Sequence, residues 1–249
     1  MKKFLIISAI VCLALSFSAI SYASVDSIYE AAVVNVTGDV KVDTRADGTW
    51  ITPWVGMKLM EGAIIKTGDN SSADIVYDAE GLNVLTLNPN TQLTVEESMA
   101  DLSKGTVVGD FANIAAGSTF TVKTPTAACG IRGTVFRVTL TSGREVRVEL
   151  VNGNMTVQPL DAAGNPVGAP VTVPQSYQVT VASDGTVSEP TALTAEQIGQ
   201  IEDIAAGAYG TTTEEVEEVT VEEPEPDPKD LEEDKVKKEE EEPCVSPSC

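Results

Sequence analysis

Arg132 stands between Gly130 and Gly133, inside the run TFTVKTPTAACGIRGTVFRV at residues 119–138. A guanidinium in apolar surroundings seeks carbonyls or a carboxylate. It could tie down the backbone of its own loop, the favoured reading, or anchor the carboxylate of a partner. The other residues able to do chemistry are 38 carboxylates, two tryptophans four positions apart (Trp50 and Trp54) and four cysteines. Histidine is absent. That excludes histidine acid–base catalysis, Ser-His-Asp triads and His-ligated metals. A glycosidase needs two carboxyl groups across a cleft, and no spacing here places two that way. The expectation is a protein that is not an enzyme and has no cofactor or metal. The tryptophans could form a sugar-stacking platform. Their spacing around Pro53 favours packing where a strand begins.

The elements around Arg132 read as strand, sharp loop, strand. Phe120, Val122 and Thr124 alternate with polar neighbours, the period of a half-buried strand. Pro125 removes a backbone donor and extends Thr124. Gly130 and Gly133 tolerate positive φ. Alternation resumes at Val135 and runs to Leu140, with Phe136, Val138 and Leu140 on one face. The candidate loop or partner-binding residues are therefore Thr124, Pro125, Gly130, Arg132, Gly133, Thr134 and Phe136.

Short Val/Ile/Leu/Thr-rich runs fill residues 31–190. Turn signals recur between them, at Gly68-Asp69-Asn70, Glu80-Gly81, Asn88-Pro89-Asn90, Ser103-Lys104-Gly105, Ala116-Gly117 and Ser142-Gly143. This spacing indicates an all-β sandwich, barrel or solenoid. Asn152-Gly153 is a favoured pair for a two-residue hairpin turn and predicts a hairpin within REVRVELVNGNMTVQPL. A second hairpin is expected over residues 157–173, turning at Ala163-Gly164-Asn165-Pro166, and a last strand over SYQVTVAS. One helix is expected, at 194–207. Thr194 and Gln197 form a capping box, Leu193 can staple onto Ile198, and Ile198, Ile201, Ile204 and Ala205 share a stripe. The stripe most simply packs on the β domain; the alternative is a partner-binding helix.

The two ends have different compositions. Lys2 and Lys3, an apolar run and Ser21-Tyr22-Ala23 form a secretory leader over residues 1–23, cleaved between Ala23 and Ser24. Cleavage removes two lysines and takes the net charge from −22 to −24. Such a chain has no use for nucleic-acid phosphates. It is expected to be exported, to the periplasm first and to the cell surface or exterior as alternatives, without stable membrane insertion after leader removal. Residues 211–249 read as a disordered acidic tail, since residues 213–249 alone carry 16 acids and 4 lysines. The tail could be a solubilising extension, a docking segment for a basic partner, or a weak calcium binder. Cys244 and Cys249 are a candidate disulfide in an oxidising compartment. Cys129 is then left as a buried small hydrophobe or as a partner in another disulfide.

Three segments together resemble the FecR-type domain. TPTAACGIRGTVF is similar to its TP…GxRGTxF signature. WITPWVGMKLMEGAIIKTG is similar to its W…GxxLxxGDxIxT segment, with Ala63 where Asp is frequent. DIVYDAEGLNVLTLNPNTQLTV is similar to its LxLxPx(S/T)xL segment. The resemblance covers residues 31–158. It implies a small solenoid-like or sandwich β domain that binds another protein. The best-known members of that family are membrane-spanning regulators. They sense ligand-loaded outer-membrane transporters and signal to a cytoplasmic sigma factor, as in iron–citrate uptake. This chain is expected to depart from that layout, with no sigma-binding segment and no retained span. Two roles follow: an envelope sensor or adaptor whose partner is another envelope protein, or a structural surface-matrix protein using the β domain as an assembly unit.

Overall fold

The computed structural model describes residues 31–78, 80–114 and 118–207. The leader with its Ala23–Ser24 site, the Ala116-Gly117 turn, the acidic tail, Cys244 and Cys249 lie outside the described residues. Fourteen strands lie among the described residues. They are β1 Ala31–Thr37, β2 Val40–Asp43, β3 Lys58–Leu59, β4 Ile64–Thr67, β5 Ser72–Val76, β6 Val84–Leu87 and β7 Gln92–Glu96. There follow β8 Met99–Asp110, β9 Phe120–Lys123, β10 Ala127–Leu140, β11 Val146–Pro159, β12 Val171–Val173, β13 Tyr177–Val181 and β14 Thr191–Ala192. Helix α1, Ala195–Gly207, closes the order. Among the described residues the fold is all-β with one short helix.

Three long strands organise the rest, because each belongs to two layers. The first half of β8 pairs with β7, and its second half with β6 and β10. The first half of β10 pairs with β9 and its second half with β8. β11 pairs first with β13 and then with β12. One layer therefore runs β3-β1-β5-β6-β8-β10-β11-β13-β14, and the other β2-β4-β7-β8-β9-β10-β11-β12. Almost every pair is antiparallel; β8 and β9 run parallel over Met99–Asp101.

The crossing points are glycines, and the side-chain parity proves the bend. In β8 the core residues Ala100 and Leu102 give way to Val107; in β10 Cys129 and Ile131 give way to Phe136 and Val138; in β11 Val148 and Leu150 give way to Met155 and Val157. A flat strand would keep one parity, because side chains alternate with period two. Here the parity switches in each strand next to Gly105, Gly133 and Gly153, with φ of +93°, +59° and +96°. Both halves of each strand thus face one continuous core. An extra residue in a strand bends it and restores its apolar side to the inside.

Two of the expected turns are corrected by this. Ser103-Lys104-Gly105 and Asn152-Gly153 lie inside continuous strands, β8 and β11. The hairpin partner of β11 is β10, through the turn at Thr141–Glu145, where Arg144 N donates to Thr141 O at 3.0 Å. The second hairpin forms as expected: Val157 faces Val171, Leu160 bridges Pro166, and the turn closes from Gly164 N to Asp161 O at 2.9 Å.

The helix begins as its residues dictate. Thr194 N donates to Gln197 Oε1 at 2.9 Å, and Gln197 N to Thr194 Oγ1 at 3.2 Å. These reciprocal bonds satisfy two donors otherwise left without partners at a helix start. Its stripe packs on the outer side of the first layer. Ile201 and Ala205 are buried there with Leu193, Val108 and Val151.

Candidate functional site

The stretch around Arg132 is a strand, which corrects the loop reading. The chain turns only at Thr124–Ala127. There the Thr124 hydroxyl donates to Ala127 O at 3.0 Å and accepts from Ala127 N at 2.9 Å. Thr124 is buried and Pro125 half-buried. From Ala127 onward β10 is continuous, so Gly130, Arg132, Gly133, Thr134 and Phe136 are strand residues. Gly130 faces Thr156 and Thr121 in the ladder. Thr134 is buried and its Oγ1 has no hydrogen-bond partner among the described residues. Phe136 is fully buried, and a Cβ on Gly109 would lie 2.3 Å from its ring. Gly109 is therefore small because the ring lies on the strand.

Arg132 itself is exposed. Among the described residues its guanidinium makes no hydrogen bond or ion pair. The expectation that it ties down its own loop is overturned. The parity of β10 explains why: Ile131 takes the inward position and Arg132 the outward one. Its neighbours on the surface are Thr119, Asn154, Thr156 and Thr172.

The arginine that holds a buried carboxylate is another one. Arg137 donates from Nε and Nη2 to the two carboxylate oxygens of Glu149, each at 2.5 Å. The two residues are directly opposed on β10 and β11. Glu149 is only 1 % exposed, and the Arg137 side chain 15 %. The pair lies on the outer face of its layer, where α1 covers it, and Gln197 Nε2 adds a bond to Glu149 Oε1 at 3.3 Å. It belongs to a transverse row of facing residues: Asn35, Asp74, Thr86, Val108, Arg137, Glu149, Gln178 and Thr191. Asparagine Asn35 donates to Asp74 Oδ2 at 3.0 Å in the same row. In the sequence Arg147 and Glu149 alternate with Val146, Val148 and Leu150, which makes Glu149 outward-facing. Only the helix, far along the chain, makes outward mean buried.

The tryptophans divide. Trp50 is half-covered, with the Lys66 ammonium 3.6 Å from its ring centroid. Trp54 is 61 % exposed, which overturns the packing expectation for that residue. It starts the turn Trp54–Met57, closed by Met57 N donating to Trp54 O at 3.0 Å, with Gly56 at φ +86°. Val55 follows it at 64 % exposed, and Ile51 and Met60 are also exposed. Trp54 and Val55 are thus large apolar side chains held outward by a hydrogen-bonded turn.

Cys129 is fully buried as a free thiol, and burial pushes its pKa up to about 12. It packs as a small apolar residue in the core. No group of three or more Cys, Asp or Glu among the described residues is placed to hold a metal ion. No helix among them is long and apolar enough to cross a membrane.

The family model described as "FecR protein" matches residues 63–156. The chain carries a FecR domain. The match starts inside the Trp50–Gly68 segment and runs through β4 to β11, so it contains all three glycine bends. Residues 31–62, with the exposed Trp54 turn, precede it. Two crystal structures of an anti-sigma factor candidate from Parabacteroides distasonis ATCC 8503 are similar to the chain at 16 % identity. Their TM-scores are 0.44 and 0.43; each alignment covers 55 % of this chain and 62 % of the other. The chain thus spans less than two thirds of those structures. No curated protein matches it.

Proposed function

We propose that this chain is an exported, non-enzymatic signalling protein whose β domain binds another protein of the cell envelope. The FecR domain supports a regulatory class. The observation that carries the binding reading is the Trp54-Val55 turn, at 61 % and 64 % exposure. Tryptophan is enriched among the residues that dominate protein interfaces, because one side chain buries much apolar area at little entropic cost. Exposing it on a domain whose core is otherwise closed costs hydration that a partner's apolar pocket would recover. A net charge of −22 argues against nucleic acid as that partner. The leader-like residues 1–23 support export to the periplasm or beyond.

A photo-crosslinking residue at Val55, used in intact cells, tests this. One discrete crosslinked product in the envelope fraction is expected. Trp54→Ala should abolish the product while the protein melts as before. A product unchanged by Trp54→Ala would remove this surface from the proposal. A chain recovered whole from the cytoplasm would overturn export.

A further inference from the structure

At one end of the domain the two layers part. The turn between β5 and β6, Ser98 before β8, Phe111 and Ile114 after it, and Ser118, Thr119 and Phe120 at the start of β9 surround a cavity of about 160 Å³. Its wall is aromatic. Phe111 and Phe120 stack with centroids 4.4 Å apart, Tyr77 meets Phe120 edge-on at 4.6 Å, and Ile114 completes the apolar side. Phe136 lies beneath, 5.9 Å from Phe111. Asn83 supplies the polar side. It is only 9 % exposed, and its Oδ1 is buried without a hydrogen-bond partner among the described residues.

We propose that this cavity is a binding site for a neutral one-ring compound carrying an O–H or N–H donor. The size sets the ring count, since an apolar protein cavity of about 150 Å³ accommodates benzene. The lining sets the charge: no Asp, Glu, Lys or Arg is among the described lining residues, so an ion would enter uncompensated. The buried Oδ1 sets the donor. An acceptor left without a partner in an apolar site is costly, and a ligand N–H or O–H relieves that cost.

The acceptor is also held in place. Asn83 N donates to Asp78 Oδ2 at 2.5 Å and Leu82 N to Asp78 Oδ1 at 2.9 Å, while Asn83 O accepts from Tyr77 N at 3.1 Å. The short turn between β5 and β6 is thereby fixed at both ends. A preorganised acceptor loses little freedom when a ligand arrives. Thr119 and the two serines of the lining offer hydroxyls for a second polar group.

Phenol and benzene are the probes, titrated against the full chain by NMR. Phenol should shift the Phe111, Phe120 and Ile114 resonances saturably, with a Kd on the order of 1 mM, as befits so few ligand atoms. Benzene should bind about three- to tenfold more weakly, the worth of one hydrogen bond. Asn83→Leu removes the acceptor at similar volume, and the two probes should then agree within about twofold. Contacts from phenol ring protons to Phe111 and Phe120 in the unsubstituted protein give a second test that needs no variant. Absence of saturable shifts overturns the site. Equal binding of phenol and benzene to the unsubstituted chain, or a phenol preference surviving in Asn83→Leu, overturns the role of Asn83.

Discussion

A Cβ built on Gly153 would lie 1.8 Å from the carbonyl oxygen of Gly133. The bends of β10 and β11 are therefore in van der Waals contact, and neither strand can cross between layers without the other. Gly153 has two reasons to be glycine: φ of +96° and this contact. Gly130, three residues before Gly133, has neither. A Cβ there would meet Thr156 Oγ1 at an ordinary 3.5 Å. Gly153→Ala should lose at least about 3 kcal/mol or fail to fold, because backbone must move as well as strain. Gly130→Ala should stay within about 1 kcal/mol. Urea denaturation of both variants checks the contrast; equal losses would show that the bend does not depend on the contact.

The same bend shows what was legible in the residues. Alternation marks the strands around Arg132, since Phe120/Val122 and Phe136/Val138/Leu140 carry the period directly, while the capping box and the apolar stripe mark the helix. Asn152-Gly153 misled because a turn and a strand bend use the same glycine property, positive φ. What separates them is the pairing of β10, β12 and β13 on either side, and pairing is not local. Arg132 stands out in the sequence and Arg137 does not, for a related reason. Both are outward on β10, but Arg137 lies where α1 covers the strand and Arg132 does not. Nothing near either arginine in the chain reports the position of the helix.

Arg137 and Glu149 form a buried pair with two charge-assisted bonds. Glu149→Ala should cost about 3–5 kcal/mol by leaving the guanidinium without its carboxylate. Replacing both with apolar residues of similar size, Arg137→Met with Glu149→Leu, should recover most of that loss. Thermal and chemical melts of the two singles and the double complete a mutant cycle. A double variant as unstable as the singles would mean that the pair contributes through packing rather than charge.

Arg132 predicts the opposite behaviour. Its side chain is exposed and without a bond among the described residues. Arg132→Ala and Arg132→Lys should therefore melt within about 0.5 kcal/mol of the unsubstituted chain. A loss of about 1–3 kcal/mol would return the residue to the role of a loop clamp. If stability holds, a loss of the Val55 crosslinked product in Arg132→Ala would extend the partner surface to this second layer.

Cys129 gives a prediction in pH. Burial opposes the thiolate and raises the thiol from its ordinary 9.0 to about 12. The folded state therefore keeps a proton that the unfolded chain releases above pH 9. Stability from this group is complete below that pH and falls as pH rises toward 12, by about 1.4 kcal/mol per pH unit at the steepest. Cys129→Val leaves the apolar packing and removes the titration, so the variant should lose less stability than the unsubstituted chain over that window. At neutral pH the same burial should protect the thiol. Iodoacetamide should modify Cys129 only on unfolding, read by mass spectrometry of the peptide that contains it. Rapid labelling in the folded protein, together with parallel pH curves for the two chains, would show that the core around Cys129 opens freely to solvent.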